Sequence, residues 1–242
     1  MSKRLRNMFG PLAAMVGLLA FAMATPARAD SLDIWISTVN NPPVAGDQVA
    51  SASSGTSVAY SNNNFGGFSI SMLASSSNSP GTSSNAQLTG ATLSITNNNS
   101  KTATLYISLG DGGFTSPTTP PNLTLLSHVG GTVVIGSSAN LLTYHSYVNS
   151  DNSQNGTTGI TPGAQTPGIT SGSFNSDAST PITSLSGPYS MTETFAFTLG
   201  AGAEINFSSS TTLSPVPEPT SLSLAALGAL GLTGYSLRRR KV

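Results

Sequence analysis

The chain has 242 residues, no cysteine, nine cationic and nine acidic side chains, and a formal net charge of zero. The lack of cysteine removes disulfides, thiol nucleophiles and thiolate metal sites. Eight of the cations lie before residue 30 or after residue 237, while eight acids lie between 30 and 215. Only Lys101 opposes those acids, so the middle segment carries about −7 and has no basic patch for a phosphate backbone, which excludes nucleic acid as a partner.

Residues 1–29 read as a secretory signal. Lys3, Arg4 and Arg6 form a positive head, residues 8–24 are an uncharged apolar run, and Thr25-Pro26 breaks it. Ala27 and Ala29, on either side of Arg28, supply the small-x-small cleavage pattern before Asp30. Such a segment implies passage through the Sec translocon and cutting by a signal peptidase, and it takes no part in the fold.

Ser, Thr and Asn supply 79 of the 186 residues from 30 to 215. These side chains compete with helical hydrogen bonds and suit strands with solvated faces. In chain order, strands are predicted over 32–37, 56–60, 67–73, 91–96, 103–109, 123–128, 132–135, 141–148, 189–199 and 205–207. The clearest hairpin pairs 91–96 with 103–109. Ala91, Leu93 and Ile95 alternate with hydroxyls, Asn97 to Ser100 makes the turn, and Leu105, Ile107 and Leu109 alternate again. A second hairpin sets Tyr189, Met191, Phe195, Phe197 and Leu199 on one face, returns through Gly200-Ala201-Gly202, and closes with Ile205 and Phe207. Residues 149–187 read as a long polar surface loop. Short strands with turns between them predict an all-β antiparallel sandwich or jelly roll of residues 30–215.

Candidate chemistry is sparse. Trp35 and Tyr106 fall opposite apolar neighbours in their strands, which would set them on solvent faces where aromatic rings stack on sugars. Asp111 reads as a turn residue. His128 and His145 are the only histidines and read as sheet-surface residues; no Gly-x-Ser-x-Gly elbow accompanies the many serines. Asp151 to Gly156 offers oxygen side chains at alternate positions before a glycine, as calcium loops do. Pro162 stands where a bidentate glutamate is needed, so a polar turn is favoured. Glu193 interrupts an apolar strand face; it needs a partner if it points inward and is harmless at a strand end or edge, the reading favoured here. No paired carboxylates mark a glycosidase, no catalytic residue, cofactor or metal is expected, and the chain reads as a non-enzyme.

The C-terminus carries a second membrane signal. Residues 222–237 contain no charge and, at about 1.5 Å per residue, extend ~24 Å as a helix, short of a ~30 Å hydrocarbon core. Arg238, Arg239, Arg240 and Lys241 end the segment and act as a stop-transfer cluster that stays cytoplasmic. Gly228, Gly231 and Gly234 allow close helix approach in lipid.

Val216-Pro217-Glu218-Pro219, the apolar segment and the basic cluster, together residues 216–242, resemble the PEP-CTERM sorting domain of Gram-negative bacteria. The resemblance implies recognition of Pro-Glu-Pro by an exosortase, a membrane-embedded cysteine protease. It also implies anchoring in the inner membrane during sorting, a final location at the cell surface or outside it, and association with extracellular polysaccharide. The stretch from Gly110 to Thr115, and Tyr189 to Thr192, look like the ectodomains often joined to this signal, which supports a sandwich and supplies no activity. The expected role is therefore structural or interactive, with a carbohydrate-binding adhesin module as the alternative and a secreted enzyme third.

Overall fold

The structure, a computed structural model, describes residues 30–216 together with 227, 228 and 230. Eleven strands make up the domain: β1 (Ser31–Ser37), β2 (Gln48–Ser53), β3 (Ser57–Phe65), β4 (Phe68–Ser77), β5 (Ala86–Asn97), β6 (Ala103–Phe114), β7 (Leu123–Ile135), β8 (Leu141–Asn149), β9 (Gly172–Ile182), β10 (Tyr189–Leu199) and β11 (Glu204–Pro215). They form two antiparallel sheets. The five-stranded sheet has the order β2-β1-β6-β10-β8 and the six-stranded sheet the order β3-β4-β5-β11-β7-β9. From β5 onward every connection passes from one sheet to the other.

The core lies between the sheets and divides into two apolar clusters. One is built around Ile107, Phe195, Phe197, Ile205 and Phe207, the other around Leu32, Phe114, Tyr189, Met191 and Leu213. Phe195, Phe197 and Phe207 pack with ring centroids 4.8 to 5.7 Å apart, within the range aromatic pairs favour. Among the described residues, the two clusters run from Leu32 to Leu213.

Neither predicted hairpin forms, because β5 and β6, like β10 and β11, lie in different sheets and pair with other strands; three further local expectations are corrected. β5 carries one extra residue, because Ile205 pairs with Ile95 while Phe207 pairs with Thr92. This bulge flips the alternation, so Leu93 stands 65% exposed and Thr92 turns inward. Residues 149–187 are not one loop. Strand β9 pairs along β7, Phe174 and Ile182 bury against the core, and Ile160 and Gln165 bridge to Val148 and Tyr144. Residues 123–128 and 132–135 are a single strand, β7, because Gly130 and Gly131 continue the pairing.

Candidate functional site

Both ends of the domain emerge at one pole of the sandwich. The Asp30 carbonyl accepts from the Ser54 N–H at 3.4 Å, and the Val216 N–H donates to the Asn122 carbonyl at 2.8 Å. The loops joining β4 to β5, β6 to β7 and β9 to β10 gather at this pole, where Thr115 N–H bonds to Pro80 and Thr119 N–H to Leu185. The opposite pole carries the turns after β3, β5, β7 and β10, with Lys101 among them. Val216, first residue of the expected sorting motif, thus makes a backbone hydrogen bond at the edge of the folded domain and is 40% exposed. Pro217, Glu218, Pro219, Arg238 to Lys241, Ala27, Ala29 and most of the span 222–237 lie outside the described residues. No helix among the described residues is long and apolar enough to cross a membrane.

The outer face of the six-stranded sheet gathers polar side chains into ranks. Cross-strand register aligns Ser57, Ser76, Thr89, Ser210, His128 and Asp177, one from each strand. Within this rank Ser76 and Thr89 hydroxyls bond at 2.7 Å, and His128 Nδ1 lies 2.7 Å from Asp177 Oδ1. The next rank holds Ala59, Ala74, Ala91, Ser208, Gly130 and Asn175, so it lies low. Two shallow concavities open on this face. One, of about 440 Å³, lies over Leu126, His128, Asp177 and Ser210; the other, of about 410 Å³, lies over Ala74, Thr89, Ala91 and Ser208. His128 Nε2 extends over Gly130, where an added Cβ would come within 3.2 Å of it. That nitrogen makes no hydrogen bond among the described residues, so Asp177, His128 and the nearby serines do not form a relay of the Ser-His-Asp kind.

Glu193 is the second unusual group, and it overturns the strand-edge expectation. It is fully buried between the sheets on β10, flanked by Met191 of one core cluster and Phe195 of the other. Its Oε1 accepts from Thr211 Oγ1 at 2.8 Å and Tyr144 Oη at 3.2 Å, and its Oε2 accepts from Ser209 Oγ at 2.5 Å. Burial pushes the carboxyl up to about 7, against the opposing pull of the three hydroxyls. Burial, then the neighbouring Glu193 charge, likewise raises the Tyr144 phenol well above its ordinary value. Ser127 and Gln165, bonded at 2.8 Å, extend this polar belt across the middle of the core.

The other sequence candidates are accounted for by packing. Trp35 is buried, 2% exposed, against Gly110 and loop residue Asn155, so it offers no stacking surface to a sugar. The outer face of its sheet is covered by the loop that follows β8; alternation alone does not reveal such a cover. Tyr106 is half-buried on the same face. His145 stacks on Tyr147 at 5.7 Å, and burial lowers its proton affinity. Asp151 accepts from the Ser153 hydroxyl at 2.8 Å and the Ser153 N–H at 3.1 Å, which hold its carboxyl below the usual range. Asn152 Oδ1 takes the Gly113 N–H at 2.8 Å, and Asn155 spans Ser108 and Pro43. Asn152 and Asn155 thus clasp the calcium-like loop onto β6, while Asp151 bonds within the loop. Asp111 is not in a turn but inside β6 and buried; burial raises its carboxyl, whose Oδ2 accepts from Ser77 and from the Gly55 N–H. Among the described residues no group of three or more histidine or carboxylate side chains is placed to hold a metal.

No curated protein matches the chain. Among solved structures, the enzymatically active domain of tailspike protein 4 from bacteriophage CBA120 matches with a TM-score of 0.30 and 7% identity. The match covers 64% of this chain and 21% of that one. A model of the PEP-CTERM protein-sorting motif matches residues 215–241, the segment whose three parts resembled it in sequence. The motif implies export and membrane anchoring of the C-terminal region before sorting to the surface, and the chain is therefore a β-sheet protein carrying a PEP-CTERM protein-sorting motif.

Proposed function

We propose that this protein is a non-catalytic component of the cell surface or extracellular matrix, delivered by an exosortase and associated with extracellular polysaccharide. The observation that carries the reading is the sorting motif, matched at 215–241, which starts where the last strand, β11, ends at Pro215. A self-contained domain joined directly to a sorting signal is the arrangement of a passenger whose tail is handed to a processing enzyme. In this reading Ala27 and Ala29 direct the signal peptidase, Pro217-Glu218-Pro219 holds an extended backbone for the exosortase, and Arg238, Arg239, Arg240 and Lys241 keep the short apolar segment from being pulled through the inner membrane.

The test is fractionation of wild type, Glu218→Gln and Pro219→Ala in a host that carries an exosortase. Wild type is expected at the surface or in the medium, and both variants are expected to accumulate full-length in the inner membrane. Identical fractionation of all three would leave only a plain tail anchor. A second reading, a carbohydrate-binding adhesin module, is favoured by the hydroxyl ranks on the outer face of the six-stranded sheet.

A further inference from the structure

We infer that the low rank on the outer face of the six-stranded sheet is a binding groove for a linear, uncharged polysaccharide that lies across the strands. The inference rests on the polysaccharide reading above and names the ligand class and the residues that meet it. The floor is Ala59, Ala74, Ala91, Ser208 and Gly130, in register across five strands. One wall is Ser76, Thr89, Ser210, His128 and Asp177. The other carries Leu93, which stands 65% exposed because of the bulge in β5, with Met72 beside it at 51%, and continues through Asn206 and Thr132. Five strands at ~4.8 Å spacing give a groove about 19 Å long, enough for several sugar units.

The chemistry of the walls selects the occupant. One side offers alcohols, a carboxylate and a free imidazole nitrogen; the other offers apolar side chains for the C–H face of a ring. His128 is held by Asp177 through Nδ1, which leaves Nε2 over the groove floor to meet a ligand hydroxyl. Gly130 keeps the floor open under the ring, since an added Cβ would press on Nε2. The face carries the carboxylates of Asp177 and Glu204 and no lysine or arginine, so a uronate or sulfated chain is repelled and an uncharged one is not. A peptide strand is disfavoured because the ladder bonds of this face run within the sheet and its backbone is not an open edge. With no exposed aromatic ring on the face, affinity comes from repeated polar contacts along the polymer, and short fragments bind weakly.

The test is affinity electrophoresis of the full chain in detergent, through gels cast with dextran, laminarin or alginate. The variants are Ala91→Trp and Ser208→Trp, which fill the floor, and His128→Phe. Ala91 and Ser208 are exposed, so folding survives, and thermal melting checks it. Retardation is expected by at least one uncharged glucan and not by alginate, with at least a tenfold loss of affinity in both tryptophan variants and a smaller loss in His128→Phe. Retardation by a glucan that the folded tryptophan variants leave unchanged, or retardation by alginate alone, overturns the groove while the polysaccharide reading stands. If no polymer retards the wild type, the polysaccharide reading itself fails, and the groove with it.

Discussion

Glu193 makes the stability of the domain depend on pH. Its carboxyl is raised to about 7 in the fold, against an ordinary value of 4.5. Below 4.5 the group is neutral in both states and costs nothing. Between 4.5 and 7 the unfolded chain ionises while the folded chain stays protonated, so stability falls as pH rises, and above 7 the loss is complete. The shift corresponds to about 3 kcal/mol. Urea unfolding followed by circular dichroism is expected to show the midpoint dropping across this window. Glu193→Gln is expected to flatten that slope, because an amide keeps the hydroxyl contacts without the charge; an unchanged slope would move the effect to another group. The sequence marked Glu193 as odd on an apolar face. It did not reveal that the face continues inward, because the hydroxyls that receive the carboxyl come from residues 16, 18 and 49 positions away. By contrast, Leu105 and Phe197 are fully buried, as their period-two pattern predicted. Aspartate at either is expected to cost several kcal/mol and abolish cooperative melting, since no partner for the charge exists there.

At the scale of the element, bulges and crossings decide what alternation alone cannot. The β5–β6 pattern reads as an antiparallel hairpin, yet the two strands lie in different sheets. Their turn spans the sandwich: Asn97 Nδ2 donates to the Leu199 carbonyl at 2.8 Å and the Gly200 carbonyl at 3.1 Å, tying two turns together. The extra residue in β5 puts Leu93 in solvent. Leu93→Ser is therefore expected to change stability by no more than about 0.5 kcal/mol, whereas Ile95→Ser, two residues on and fully buried, is expected to cost several kcal/mol. Equal losses in chemical denaturation would return Leu93 to the core. β9 escaped the sequence reading because its inward positions are Phe174, Ser176, Ala178, Thr180 and Ile182, two large apolar residues separated by three small or polar ones. Gly131, opposite Phe207, is a tight point in the pairing. A Cβ there would lie 2.2 Å from the Asn206 carbonyl oxygen and 2.7 Å from the Phe174 ring, so Gly131→Ala is expected to lower stability by about 1–3 kcal/mol in the same assay.

At the scale of the molecule, three of the four sheet edges are guarded against pairing with other chains. β3 has two register irregularities, β9 carries Asp177 and Pro181, and β8 is bridged by Ile160 and Gln165. Such features blunt strand addition and suit an exported domain. The domain meets the sorting motif at one pole, while the grooved sheet face lies along its side. The most direct test of this account is the mass of the mature polypeptide purified from its native cells. The account predicts an N-terminus at Asp30 and a C-terminus that lacks Arg238 to Lys241. A mature chain that still ends in Lys241-Val242 would contradict processing at the sorting motif.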